Sequence, residues 1–511
     1  MTGGKSVRLR YSGLVNFAAS FISLVLGLAF TVLLTRKLSV EEYGVWHVIG
    51  TVAMYAGSWM PSIYTYWAVR DVSRGKTDSA KTSVASGFIF GVVSLPLFLI
   101  LSFFFSSSLK IPMLYFLIFS PYVLLFLIYN GYHAISAGVA PQHIGFSDAF
   151  SMAFKLSIGF LLLVLLNMKL VGAIMALIVY IALRTLYMQM KFGYLVTKGR
   201  FKFNTFKRWL TLSWIPLTRR SIQLLSQVDI AIVALVTGST VAIAHYRAIW
   251  VFLSLITLTT TLASGLYPSI LASEDERKIE KVTKETANLV FLFSFPMIVI
   301  SAVMSDYLLA LLRIDYVSSC NAMRIAMVYA FIFLLSEIYR IMLIGTEKID
   351  VDEKTPIKLY MRSRLFSTTI ATLATPIVVI PTVFLASAML RQPILIVELW
   401  YVAYTVAILC RLLLFLRMAK AINLEHVLDF KVLLTMALSA VIGAIVLRLV
   451  TPYFFGLSER FVESLKGLVF ISLLGITIYF LTLYPLSAWF RKLVKDALTY
   501  IRSQLSTVFR G

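Results

Sequence analysis

Runs of about 20 apolar residues recur from one end of this 511-residue chain to the other. Each is long enough to carry a helix across a hydrocarbon layer of roughly 30 Å. Inside such a layer the backbone must bond to itself, so only helices and closed barrels can cross. A barrel would show alternating segments of about 10 residues, whereas these runs are longer and unbroken. At 59% hydrophobic residues the chain is also too apolar for a soluble protein of its length. The expected fold class is an all-α polytopic membrane protein.

Fourteen spans can be drawn, at 12–34, 43–67, 84–107, 111–134, 148–167, 170–190, 211–236, 241–268, 287–305, 320–345, 365–390, 394–416, 432–452 and 465–488. The connecting segments then alternate in charge. One side collects 30 lysines and arginines and the other 8, with Lys466 counted at the loop before the last span. Basic loops stay in the cytoplasm, so both termini are expected there, in a plasma membrane of prokaryotic character. The same asymmetry accounts for the net charge of +23 without nucleic acid as a partner. The expected organisation is an N-terminal six-helix lobe over 1–190, a basic amphipathic linker over 191–210, a second six-helix lobe over 211–420, and a further helix pair with a basic tail over 421–511. The linker, "KFGYLVTKGRFKFNTFKRWL", has the composition of a connector lying at the membrane interface.

Cys320 and Cys410 form no disulfide framework and no metal pattern, and the histidines show no ligand spacing. No metal or cofactor is expected. The outward loops are short and carry no cluster of acids. That argues against a membrane glycosyltransferase or polymerase, and the chain is not expected to be an enzyme.

The seventh span is the most polar: "WIPLTRRSIQLLSQVDIAIV". An arginine in mid-span costs about 2.5–3.5 kcal/mol on insertion scales, so it normally faces a bundle interior or a watery cavity. On a helix Arg219, Gln223, Ser226 and Gln227 share a stripe, with Arg220 beside it. Guanidinium groups there can hold phosphate oxygens through parallel hydrogen bonds. An internal ion-pair network would satisfy the same residues. Asp229 can neutralise an arginine or bind a cation, and Pro216 is placed to kink the helix. Arg247 in span eight can hand on an anion or snorkel to the outer interface. Arg70, Lys155 and Arg324 are further candidate substrate-binding cations. Glu337 and Arg340, three residues apart, read as an internal ion pair. Arg184, Arg411 and Arg448 stand near span ends, where snorkelling suffices. Span two is rich in aromatics, among them Tyr43, Trp46, Tyr55 and Trp59, which packing and interface belts explain more simply than a sugar platform.

The two halves echo each other weakly: "YGVWHVI" from Tyr43 and "YRAIWVF" from Tyr246 each come after a long apolar span and a short polar turn. With six spans before the linker, the two halves would be parallel repeats, and sites in such transporters lie at the repeat interface.

The segment "LLTRKLSVEEYGVWHVIGTV" resembles the Wzx-type oligosaccharide-lipid flippases, a polysaccharide-transporter branch of the multidrug/oligosaccharidyl-lipid/polysaccharide exporter (MOP, MATE-like) superfamily. Arg36, Leu38, Glu41, Glu42, Tyr43 and Gly44 carry the resemblance, with Ser39 where a glycine is usual. Asp229, Gly238 and Tyr246 repeat a second element of that pattern, although Ala244 and His245 stand where a glycine is usual, and "GTEKID" after span ten is a third. The resemblance covers roughly residues 10–420. It implies two six-helix lobes in a V, with spans one, two, seven and eight lining a central cavity and 432–488 as an added pair. It implies transfer of a polyprenyl-(di)phosphate-linked oligosaccharide from the cytoplasmic to the outer leaflet by alternating access. The partners are then the lipid-linked glycan with its anionic phosphate or diphosphate, membrane lipid, and a coupling ion of unspecified kind, for a protein expected to be monomeric.

Two relatives compete. A MATE-like drug or metabolite antiporter would need buried carboxylates, and spans one to four contain no Asp or Glu. The peptidoglycan-precursor flippase branch has an arginine in its first span, and nothing charged lies between Arg10 and Arg36 here.

Overall fold

The computed structural model describes residues 19, 22–266, 270, 275–347, 357–424, 426–454, 461–496 and 499. Every regular element among them is helical. Twelve of the helices are long and apolar enough to cross a membrane, which makes this a multi-pass membrane protein. Two of the fourteen expected spans fall outside those twelve. Residues 12–18, 20 and 21 of the first lie outside the described residues, and a helix, α1, runs over 22–37. The second is broken into α2 (Val40–Gly57) and α3 (Pro61–Ser73). Pro61 takes the first position of α3, where its missing N–H costs nothing.

Local chemistry sets the start of α2. Ser39 Oγ accepts from the Glu42 N–H at 3.0 Å, and Glu42 Oε2 accepts from the Ser39 N–H at 2.9 Å. This capping box satisfies two donors that a helix start leaves open. It is the physical reason a serine serves where the resemblance has a glycine.

The chain folds into two units, residues 1–247 with 383–393, and residues 248–382 with 394–511. In the first, α4 (Thr77–Leu109) packs on α5 (Met113–Val139) through small residues. Ser83, Ser86, Gly87, Gly91 and Ser94 are buried, while Phe88, Val92, Ile100 and Phe103 on the other side are exposed. A side chain at Gly87 would sit 2.4 Å from the Leu127 carbonyl oxygen. Helices in lipid gain little from burying large apolar groups and associate through close backbone approach, so this polarity is the inverse of a soluble bundle's. The chain continues with α6 (Gln142–Phe160), α7 (Lys169–Lys198), the linker helix α8 (Phe203–Leu212), α9 (Trp214–Leu225), α10 (Val228–Thr237) and α11 (Val241–Thr257).

Helix α8, which overlaps the segment expected to act as a linker, is tied down by charge. The buried Asp71 carboxylate accepts from Lys76 Nζ at 2.9 Å, from Trp209 Nε1 at 3.1 Å and from Arg208. Asp78 accepts from the Arg200 N–H at 2.8 Å.

In the second unit, helix Phe430–Phe454 packs against Phe461–Leu486 and Glu276–Val303, with Met304, Leu447 and Ile471 at a common core. These two helices pack on each other and on Glu276–Val303 within this unit.

Candidate functional site

The polar residues of span seven meet those of span two where both helices are interrupted. Helix α9 ends at Leu225 and α10 begins at Val228. The span is interrupted there, at Ser226–Gln227, and also at Ser213, three residues before Pro216, near which the sequence predicts a kink. Pro216 falls in the first turn of α9, where no helical N–H is lost. Span two is interrupted at Ser58–Met60. Each interruption is bonded by the opposite helix. Arg220 Nε donates to the Ser58 carbonyl at 3.2 Å, and Tyr55 Oη donates to the Gln227 carbonyl. Irregular backbone at membrane depth persists where protein or a watery cavity satisfies it. These reciprocal bonds supply that condition.

Arg220 is half-buried, and its Nη1 also donates to Gln223 Oε1 at 3.1 Å. Both of these acceptors are neutral, a carbonyl and an amide. The neighbouring Arg219 belongs to α9, but its side chain lies outside the described residues. Asp229 is 1% exposed and accepts from the Ile230 N–H at 2.8 Å. It lies within electrostatic reach of Tyr55.

Arg247, in the first turns of α11, joins the same cluster. It is within electrostatic reach of Tyr43, His47 and Tyr55 along α2. Among the described residues its buried Nε has no hydrogen-bond partner, and neither does His47 Nε2. His47 meets the Tyr43 ring edge-on at 4.7 Å. The turn before α11 is drawn onto α2. Thr240 Oγ1 donates to the Glu41 carbonyl at 3.0 Å, and a Cβ on Gly44 would lie 2.2 Å from the Thr240 carbonyl oxygen. Gly44 is thus the residue that lets α11, and Arg247 with it, approach α2. Gly238, at φ 62°, ends α10 in the left-handed conformation and sets up that turn.

The other candidates stand elsewhere. Arg70 lies at the end of α3 with its guanidinium 5.8 Å from the rings of both Tyr66 and Trp67. Lys155 Nζ sits 4.2 Å from the Phe30 ring centre and 5.3 Å from that of Tyr180. Beside it, Asp148 accepts from Tyr180 Oη at 2.6 Å and pairs with Arg184 at 3.3 Å, while Arg184 Nη1 donates to Tyr180 Oη at 2.8 Å. Arg324, in the second unit, is exposed and donates to Asn321 Oδ1 at 3.0 Å. Glu337 and Arg340 form the ion pair their spacing indicates. The three arginines for which snorkelling would suffice have acidic partners instead. Arg184 pairs with Asp148, Arg448 with Asp306 at 2.6 Å, and Arg411 with Glu337 at 3.7 Å while donating to Ser336 Oγ at 2.9 Å. A carboxylate brought in from another helix is invisible in the local sequence, which is why the simpler reading misses it.

In the sequence Tyr43 stands out through the resemblance and the repeat, whereas Tyr55 is only a member of an aromatic span and His47 is one of several scattered histidines. The signal that unites them is position along α2, combined with a break at Ser58 whose one local sign is Pro61.

No family model and no curated protein matches this sequence. Among solved structures, an inward closed conformation of the lipid II flippase MurJ superposes with a TM-score of 0.65 at 16% identity, covering 94% of this chain and 100% of that one. An inward-facing multidrug resistance MATE family transporter of the MOP superfamily gives 0.59 at 13% identity, covering 80% and 98%. A MOP superfamily transporter from Pyrococcus furiosus, described as having a binding pocket of reversed polarity suggestive of a different function, gives 0.51 at 14% identity, covering 82% and 96%. The chain therefore has the fold that these MOP superfamily transporters share.

Proposed function

We propose that this protein is a transporter that moves an anionic, polyprenyl-(di)phosphate-linked oligosaccharide from the cytoplasmic to the outer leaflet by alternating access. The observation that carries the reading is the cluster at the two broken helices, where Arg220 is held by neutral acceptors and Arg247 keeps a buried, unbonded Nε. A guanidinium whose hydrogen bonds go to carbonyl and amide oxygens retains its full charge for an incoming phosphate. Arg219, Gln223 and Gln227 extend the surface on the same span, and Asp229 limits its net charge. Arg70, Lys155 and Arg324 would act away from this cluster, as guiding cations. The domain plan of two lobes, linker and added helix pair, both termini in the cytoplasm, a prokaryotic plasma membrane and a monomeric state belong to the same proposal.

The test is leaflet transfer of a fluorescent polyprenyl-diphosphate sugar in proteoliposomes. We expect Arg220→Ala and Arg247→Ala each to slow transfer by roughly tenfold or more, the loss of one charged hydrogen-bonding group being worth about 1.5–3 kcal/mol. Arg247→Lys should recover only part of it, since an ammonium keeps the charge but not the planar fork. Absence of transfer by the unsubstituted protein would refute this substrate. Equal transfer by all variants would remove the arginines from the mechanism.

A second reading draws on Asp229. A buried carboxylate beside a tyrosine and a broken helix can bind a coupling cation, as a MATE-like drug or metabolite antiporter requires. Cation transport driven by a proton or sodium gradient, abolished in Asp229→Asn and unaffected in Arg247→Ala, would favour it.

A further inference from the structure

The stretch 191–212, which ends in helix α8, holds six lysines and arginines and no acid. None of its residues belongs to the cluster proposed for transport.

Only one apolar edge of α8 has a protein partner. Trp209 is fully buried, and the Phe206 ring lies 5.9 Å from that of Phe90 on α4, 6.2 Å from Phe201 and 6.4 Å from Phe203. Phe203, Phe206 and Leu210, at steps of three and four, share a face. On its outer edge Phe203 is 64% exposed and Leu210 40%, and Phe201 just before the helix is 40% exposed. Aromatic and aliphatic surface grouped in this way is not left to water. The chain reaches it from α7, a helix of membrane-spanning length on which Leu186, Met190 and Tyr194, one turn apart, are all exposed.

The charges beside this edge are unspent. Asp71 is taken by Lys76, Trp209 and Arg208, and Asp78 by Lys202 Nζ at 2.5 Å and the Arg200 N–H at 2.8 Å. Lys198, Arg200 and Lys207 are exposed, and their side chains have no hydrogen bond or ion pair among the described residues. The turn that carries the first two is held close to α4: a Cβ on Gly199 would lie 2.7 Å from the Thr77 carbonyl oxygen. Free cations thus stand on a fixed backbone next to an open apolar edge.

We propose that this surface docks anionic phospholipid, a phosphodiester of net negative charge such as phosphatidylglycerol, in the leaflet on which α8 lies. Lys198, Arg200 and Lys207 meet the phosphates, and Phe201, Phe203 and Leu210 enter the edge of the acyl layer. An amphipathic helix with aromatic residues on one edge and lysines beside it takes this position. Each cation near an anionic surface strengthens binding by about fivefold. Because Asp71 and Asp78 fasten α8 and the turn before it to their neighbours, lipid held there stabilises the folded unit by mass action.

The full chain in an uncharged detergent would be followed by thermal unfolding while phosphatidylglycerol or phosphatidylcholine of the same acyl chains is titrated in. The anionic lipid is expected to raise the midpoint at roughly tenfold lower concentration than the choline lipid, and high salt should shrink that advantage. Lys198→Gln/Arg200→Gln/Lys207→Gln should reduce it to about twofold or less without changing the lipid-free midpoint, whereas Lys198→Arg/Lys207→Arg should preserve it. Arg417→Gln/Lys420→Gln/Lys431→Gln, a matched loss of exposed cations in the second unit, should leave it intact. Phe203→Ser/Leu210→Ser should weaken the effect of both lipids by roughly tenfold. If the first triple variant does not fold, Lys207→Gln alone, with an expected loss of about fivefold, takes its place. An anionic advantage that is absent, that survives the first triple variant, or that falls equally in both triple variants would overturn the proposal. A response to both lipids untouched by Phe203→Ser/Leu210→Ser would overturn its apolar half. None of these readouts involves transport, so failure here and failure of the flippase reading are separate results.

Discussion

Arg184 and Arg220 are both arginines on helices long and apolar enough to cross a membrane, in the same unit, and they are treated in opposite ways. Arg184 has a carboxylate: Asp148 pairs with it, Tyr180 bonds to both, and Tyr129 lies 4.3 Å from its guanidinium. Arg220 has the Ser58 carbonyl and the Gln223 amide, and Arg247 has a buried Nε with no acceptor among the described residues. The first arrangement is closed. Its arginine faces an acid, although Arg184 Nε, like Arg247 Nε, has no hydrogen-bond partner among the described residues. The second holds its cations in place while leaving their charge available. A cation in a membrane span is therefore diagnostic only once its acceptor is known.

The greatest change should come from opening the closed cluster. Arg184→Ala takes the arginine from a partly buried pair whose Asp148 keeps its bond from Tyr180, so the cost should approach the low end of the about 3–5 kcal/mol of a broken buried pair. We expect a marked fall in thermal unfolding temperature, partly restored by also changing Asp148→Asn. Arg247→Ala should leave unfolding nearly unchanged while reducing transfer. Equal destabilisation by both substitutions would erase the contrast.

Next in size is the junction that delivers Arg247. Gly44→Ala places a methyl against the Thr240 backbone, and overpacking of this kind costs typically about 1–3 kcal/mol. It should impair transfer beyond its effect on stability, since this contact positions Arg247; transfer that merely tracks the amount of folded protein would show that the contact is only packing. The cap matters least. Ser39→Ala should lower stability by about 1 kcal/mol, measured by chemical or thermal unfolding, and leave transfer per folded molecule unchanged.

Much of the fold is legible in the local sequence because its causes are local. Apolar runs of bilayer length, the charge asymmetry of the loops, and the pair Glu337–Arg340 within one helix turn need no knowledge of neighbours. The candidate site is legible in part. Arg220, Gln223, Gln227, Asp229 and Arg247 stand out as polar groups in apolar surroundings. His47, Tyr55 and Ser58 do not, because an aromatic or a serine in a span is ordinary until a partner helix gives it a role.

The amino acids alone dictate that the chain crosses a membrane many times as helices, and that some crossings carry charge. They do so because the hydrophobic effect and backbone self-bonding act over one helix at a time. Which charges are spent on one another, and which remain, is a property of the packed helices. So is the place where a span breaks, since the bonds that make a break tolerable at Ser58 and Gln227 come from residues more than 160 positions away along the chain.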